Sequence, residues 1–313
     1  MSGQLGDVAL VQLLEFSKDV ARRAGAIILE GSHAIKRSQS VNQKKNAVDL
    51  VTEWDVRVEQ FVKSEIATAY PTFQFIGEES YAAGERPTLT DEPTFCVDPI
   101  DGTTNFVHGF PFACISIGLI YKKAPTIGVI FNPFLNQLYS ALSGHGTWLN
   151  DTTRLPLHPP GPLESLSQAL IAIEYGSDRS KEIMDLKARS FTRLAGDPDS
   201  GIQGGKMGHS LRSLGSAALN FAQVASGSLD VYWEIGCWSW DVCAGVVLAQ
   251  EAGGFVSGSH NSPHDGIVTE ELLLGRKYIV VRPIADTETE KGVDAQKRIV
   301  KEFYATVEDY DPK

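Results

Sequence analysis

The 313-residue chain carries 28 Lys and Arg against 39 Asp and Glu, a net charge of −11, and 42% of its residues are hydrophobic. This is globular composition, long enough for one large domain or two fused ones with a substantial core. The acidic balance weighs against non-specific nucleic-acid binding, yet leaves room for a small phosphorylated substrate if divalent ions invert the local field.

No apolar run reaches the roughly 18 residues of a membrane span. The N-terminus carries Asp7 and no basic leader, so it does not read as a secretory signal. Cys96, Cys114, Cys237 and Cys243 show neither redox nor zinc spacing and read as buried free thiols. The expectation is a soluble cytoplasmic protein with no nucleic-acid or membrane partner.

In chain order, apolar residues at helical spacing predict a helix from Asp7 to about residue 29 or a little beyond. Residues 38–48 are polar and read as a loop. Thr52 can cap a second helix whose buried stripe is Phe61, Val62, Ile66 and Ala69, with Pro71 after its end. Residues 73–76 predict a strand, broken by Gly77-Glu78-Glu79-Ser80. A buried strand at Phe95-Cys96-Val97 is expected to stop at Asp98-Pro99-Ile100-Asp101-Gly102. Strands over 115–121, 126–131, 137–142 and 147–149 form an antiparallel meander. The proline-rich stretch 152–166 is the best boundary, giving one unit over 1–313 with subdomains of about 1–155 and 156–313.

The second half alternates: strand 169–173, helix 181–194, a glycine-rich loop over 196–208, strand 211–214 and helix 216–225. Strand 229–233, helix 240–251, strands 255–256 and 279–281 and a charged surface helix over 286–308 complete it. Antiparallel strands followed by α/β alternation give a layered α+β fold. Tyr232-Trp233 and Trp238-x-Trp240 read as core or interface packing.

The chemistry centres on residues 98–105, D-P-I-D-G-T-T-N. Two carboxylates project from a strand end into a turn, and the small or polar residues behind them can offer backbone amides to an anion. These are the parts of a metal-assisted phosphate hydrolase. Glu78, Glu79, Glu234 and Asp241 also stand at strand ends or helix starts. Gathered in one site they would repel, by about 4 kcal/mol per pair at ~4 Å and an effective dielectric of ~20. Magnesium suits such an all-oxygen set better than zinc. An isolated Asp-Gly is more often a turn, and Asp241 at a helix start could simply be a cap.

The full string resembles the signature of the inositol monophosphatase family, the lithium-sensitive, magnesium-dependent phosphatases. Asp49-Leu50-Val51-Thr52-Glu53-Trp54-Asp55, Gly77-Glu78-Glu79-Ser80 and Trp240-Asp241-Val242-Cys243-Ala244-Gly245 extend the resemblance in the same order, with Cys243 where the family has a small residue. It implies a layered αβαβα sandwich of the inositol monophosphatase/fructose-1,6-bisphosphatase type and magnesium-dependent hydrolysis of myo-inositol monophosphates.

By carry-over, Glu78, Asp98 and the Ile100 carbonyl resemble ligands of a first magnesium, and Asp98, Asp101 and Asp241 those of a second. A third, weaker ion would share Glu78. Glu78 and Thr103 would orient the attacking water, with Asp49 hydrogen-bonded to Thr103. Gly102 and Thr103 amides would meet the phosphoryl oxygens. Gly215, Ser216, Ala217 and Glu234, with Asp101 and Asp241, would face the polyol. The resemblance also implies a homodimer. The alternatives are a phosphatase of phosphoadenosine phosphate, fructose bisphosphate or histidinol phosphate, or a non-catalytic metal- or phosphate-binding regulatory protein.

Overall fold

Helical spacing of Leu13, Val20, Ala24 and Ile28 carries the first helix, α1 (Asp7–Ser38), well past residue 29. The structure, a computed structural model, describes residues 5–38, 42–43, 50–51, 53–85 and 88–312. The short strands β1 (Asn42–Gln43) and β2 (Leu50–Val51) pair antiparallel. Then follow α2 (Glu53–Ala69), β3 (Gln74–Gly77), α3 (Glu78–Ala82), β4 (Thr94–Asp101), α4 (Thr103–His108), β5 (Cys114–Tyr121), β6 (Ala124–Asn132), β7 (Gln137–Leu142), β8 (Gly146–Leu149) and β9 (Thr153–Arg154). The later elements are β10 (Leu170–Ile173), α5 (Lys181–Ala195), β11 (Ser210–Arg212), α6 (Ala217–Ser226), β12 (Val231–Ile235), α7 (Ser239–Glu251), β13 (Phe255–Ser257), α8 (Glu270–Leu274), β14 (Lys277–Val281) and α9 (Gly292–Tyr304).

Strands β3 to β9 form a seven-stranded sheet in sequence order, parallel only between β3 and β4. The second sheet has five strands in the order β11-β10-β12-β14-β13, with β10 parallel to both of its neighbours. Side-chain alternation along the strands builds the layers. Phe95 and Val97 of β4 face α1 and α2, while Cys96 faces α7. Val231 and Trp233 of β12 join Ile299 and Phe303 of α9, while Tyr232 joins Phe221 of α6 and Val242 of α7. The order is therefore α1/α2, first sheet, α6/α7, second sheet, α5/α9: the layered α+β sandwich that the family signature implied.

The central helices approach closely because glycines leave room. A Cβ on Gly128 of β6 would lie 2.3 Å from the Ala244 carbonyl, and one on Gly118 of β5 would lie 2.4 Å from Cys243 Sγ. Gly245 does the same towards Phe221. Cys243 is thus accommodated in its unusual position by the bare backbone of Gly118.

Several local expectations change. Strand β4 does not stop at Asp98 but continues to Asp101. Asp98 pairs with Ser116 and Asp101 with Cys114, so one extra residue bulges between them. Pro99 sits in that bulge, where no ladder hydrogen bond is asked of it. Gly77-Glu78-Glu79-Ser80 does not merely end a strand; it opens α3. Ala69 is exposed, and the buried face of α2 includes Trp54, Asp55, Val58 and Glu59 instead. Helix α9 starts at Gly292 because the Asp286 carboxylate accepts the Gly292 amide and holds 286–291 in a turn. It also buries Ile299, Val300 and Phe303 rather than lying on the surface. Helix α8 went unforeseen.

Candidate active site

Parallel pairing in each sheet brings the carboxyl ends of β3 and β4, and of β10, β11 and β12, to one side of the molecule. Crevices at such strand ends are where open α/β sheets bind ligands. Here a cavity of ≈ 330 Å³ is lined by Glu78, Asp98, Asp101 and Asp241 together. Ile100, Gly102, Thr103, Gly215, Ser216, Ala217 and Glu234 line it too. Asp49 and Thr52 lie outside the described residues. Glu79 is not on the cavity wall; its amide donates to Glu59 Oε2 at 2.7 Å.

The bulge in β4 aims both aspartates at the central helices. Asp98 follows Cys96 by two residues and so shares its α7-facing side. Asp101 reaches α6: its Oδ2 accepts from Ser216 Oγ at 2.6 Å and Ala218 N at 2.7 Å, and its Oδ1 from Ala217 N at 3.3 Å. The helix start expected to face a polyol therefore spends its donors on Asp101. Asp241 Oδ2 accepts the Trp238 amide at 2.7 Å, so it caps the start of α7 while lining the cavity.

Thr103 opens α4 behind Gly102, whose φ of 85° suits glycine, and where a Cβ would lie 2.9 Å from the Phe112 carbonyl. The Thr103 hydroxyl lies 3.1 Å from the Ile100 carbonyl and 3.4 Å from Asp55 Oδ1. Among the described residues the carboxylate at Thr103 is Asp55; Asp49, expected there, lies outside them. Asp55 is fixed inside the first turn of α2 and only 1% exposed, with its side chain on the helix face turned to α4.

Burial dominates the electrostatics. It raises the Asp98 carboxyl well above the usual range, and the charges of Glu78, Asp101 and Asp241 push it further. Burial and Asp241 push Asp101 up to about 7, against the Ser216, Ala218 and Ala217 donors. Burial pushes Asp241 up to about 6, opposed by the Trp238 amide. Burial and then Glu174 push Glu234 up to about 8; Tyr232 Oη donates to Glu234 Oε2.

Among the described residues no three metal-ligating side chains already stand as a closed cage. Asp98 and Asp241 instead share a hydrogen bond. The donor set still fits a hard divalent cation. It consists of oxygens alone, its charges repel without one, and the buried Asp98 Oδ1 has no hydrogen-bond partner.

Two acids escaped the sequence reading. Glu174 stands just past β10 and organises the far wall. Its Oε1 accepts from Leu214 N (2.8 Å), Gly215 N (2.9 Å) and Asn220 Nδ2 (2.8 Å), and its Oε2 from Ser213 Oγ (2.7 Å). Its signal was the strand-end position that singled out Glu78 and Glu234. Glu59, 4% exposed, accepts the Glu79 and Ser80 amides at 2.7 Å each and so holds the start of α3 in place. Asp55 and Glu59, four residues apart on one helix face, were the visible clue.

The sequence profile of the inositol monophosphatase family matches residues 9–305. The chain belongs to the inositol monophosphatase family. Inositol monophosphatase 2 of Saccharomyces cerevisiae is 45% identical over 236 residues, 73% of this chain and 76% of its own length. The quinic acid degradation cluster protein x of Neurospora crassa is 40% identical over 327 aligned positions, covering 96% and 95% of the two chains. The solved inositol monophosphatase from Anabaena superposes with a TM-score of 0.70 at 27% identity, covering 96% of this chain and 97% of that one. Membership makes the protein a phosphoric monoester hydrolase of a generally metal-dependent family. No helix among its described residues is long and apolar enough to cross a membrane.

Proposed function

We propose that the protein hydrolyses myo-inositol monophosphates to inositol and phosphate, with about two to three magnesium ions per site. The observation that carries this reading is the convergence of Glu78, Asp98, Asp101 and Asp241 on one cavity that also holds Thr103 and Glu234. Glu78, Asp98, the Ile100 carbonyl, Asp101 and Asp241 would hold the magnesium, which would supply Lewis acidity and positive charge for the phosphoryl oxygens.

The chain's own residues do the positioning. In this reading Thr103 turns its hydrogen from the Ile100 carbonyl to Asp55, which keeps oxygen lone pairs for the attacking water, and with Glu78 it orients that water. Asp55 holds the Thr103 hydroxyl in that sense. Gly102 and Thr103 amides take the phosphoryl oxygens. Asp101 fixes the start of α6, so that Gly215, Ser216 and Ala217 shape the polyol end. Glu234, whose carboxyl is held up to about 8 by burial, faces the polyol as a hydrogen-bonding partner. Lithium sensitivity, a cytoplasmic setting and a homodimeric assembly accompany this reading through the family.

Phosphate release from inositol 1-phosphate, titrated with magnesium and then with lithium, tests it. Magnesium binding without phosphate release from any phosphomonoester would leave a regulatory binding protein. A second reading, a phosphate ester of another hydroxylated ring, is favoured by the near-full-length similarity to the quinic acid degradation cluster protein. Phosphoadenosine phosphate, fructose bisphosphate and histidinol phosphate complete the assay panel.

A further inference from the structure

Beside the catalytic cavity lies a second one of ≈ 680 Å³, and the two share Glu78, Glu234, Cys237 and Asp241. A substrate whose phosphate sits at the aspartates therefore has room to extend past Glu234. The second cavity is built differently from the first. Its wall is aromatic: Trp238 and Trp240 stack with centroids 5.2 Å apart and planes 12° from parallel, and Tyr81 packs 5.0 Å from Trp238. The Arg276 guanidinium lies 3.8 Å from the centre of the Trp238 ring.

Lys187, of α5, also lines this cavity and is 9% exposed. Its ammonium donates to the Tyr175 carbonyl and lies 5.6 Å from the centre of the Tyr310 ring. Burial, with Arg179 nearby, lowers its affinity for the proton, although Glu234 opposes this. A buried ammonium beside an aromatic wall gains strongly from an added counter-ion, because the surroundings screen poorly. Of the four acids that line this cavity, Asp178 accepts the Ser180 amide at 2.9 Å and Glu234 the Tyr232 hydroxyl, while Glu78 and Asp241 are the carboxylates that magnesium would neutralise. Their presence favours a singly charged guest over a doubly charged one.

We propose that this adjoining cavity is a second substrate subsite, which takes a carboxylate carried on the phosphorylated molecule, with Lys187 as its counter-charge and the Trp238–Arg276 pair as its wall. The inference rests on the phosphatase reading and extends its substrate class, beside inositol phosphates, to phosphate esters that also bear a carboxylate.

The test uses ligands that cannot be hydrolysed. Magnesium-loaded protein is titrated calorimetrically with alkylphosphonates, with ω-carboxyalkylphosphonates of the same chain lengths, and with the matching bisphosphonates. At the length that spans the two cavities the carboxylate should bind about tenfold tighter than the plain chain, the worth of a charge-assisted hydrogen bond. The bisphosphonate should gain less. Lys187→Met should abolish the preference and leave alkylphosphonate binding unchanged. Lys187→Gln, which keeps a donor for the Tyr175 carbonyl, serves the same purpose if the Met variant does not fold. Equal binding of carboxylated and plain chains at every length, or a preference that survives both substitutions, overturns the subsite while the phosphatase reading stands. Failure of the plain alkylphosphonates to bind at all overturns the phosphatase reading, and the subsite falls with it.

Discussion

Asp55 Oδ1 lies 3.4 Å from the hydroxyl of Thr103, a residue 48 positions further along the chain. The contact joins the first turn of α2 to the first turn of α4 and gives the hydroxyl a fixed acceptor. Asp55→Asn should therefore lower kcat by about 100-fold or more with little change in KM, as expected when a positioned proton acceptor is lost. Thr103→Ala should do the same. Steady-state kinetics at saturating magnesium check this, and a change confined to KM in both variants would remove the pair from the chemistry.

The buried Asp98 oxygen without a partner leads to a second expectation. Asp98→Asn should weaken magnesium binding at least tenfold, because an amide brings no charge to the cation, while the melting temperature in chelator stays near that of the parent or rises. Calorimetric magnesium titration and thermal melting read the two effects separately. Unaltered magnesium affinity would contradict the assignment.

Proton linkage supplies a third. Asp101 and Asp241 are held up to about 7 and about 6 in the fold, first by burial, whereas unfolded aspartates titrate near 3.9. Between those values the folded protein in chelator binds more protons than the unfolded chain. Its stability should thus fall as pH rises from about 4 to about 7. Magnesium should tighten and release protons over the same window. Melting curves at several pH values, with and without magnesium, show the first; titration in buffers of different ionisation heat shows the second. Asp241→Asn should flatten the stability slope in chelator, and an unchanged slope would count against this source.

Glu234→Gln should reduce kcat/KM for inositol 1-phosphate more than for a simple aryl phosphate, because only the polyol has hydroxyl groups for it to meet. Equal losses on the two substrates would place Glu234 outside polyol recognition.

The helix packing can be probed as well. Gly128→Ala would place a methyl 2.3 Å from the Ala244 carbonyl, and backbone cannot yield as a side-chain tip can. The expected destabilisation is about 1–3 kcal/mol, with weakened magnesium binding, because α7 carries Asp241. Denaturant melts and the magnesium titration measure both.

Much of this site was legible because its chemistry is local in sequence. Asp98, Asp101 and Thr103 share one short string, and acids at strand ends announced Glu78 and Glu234. The sheet order and the middle layer were less visible, since nothing in Trp240–Gly245 alone says that the helix is covered on both sides. Asp55 appeared only as part of the family motif, because its contact with Thr103 spans 48 positions and depends on the helical phase of α2. The continuation of β4 through Pro99 depends on a bulge that pairing with β5 creates. The donors at the start of α6 were assigned to a polyol because the contact with Asp101 spans 115 or more positions.

Helix α7 is the shared wall between the two sheets, and it brings Asp241 to the cavity at its first turn. Ions gripping that residue would brace the entire interior at once. Amide hydrogens in β7 and β13, which pack on α7 but do not line the catalytic cavity, should exchange with solvent more slowly after magnesium is added, making loading perceptible throughout the molecule.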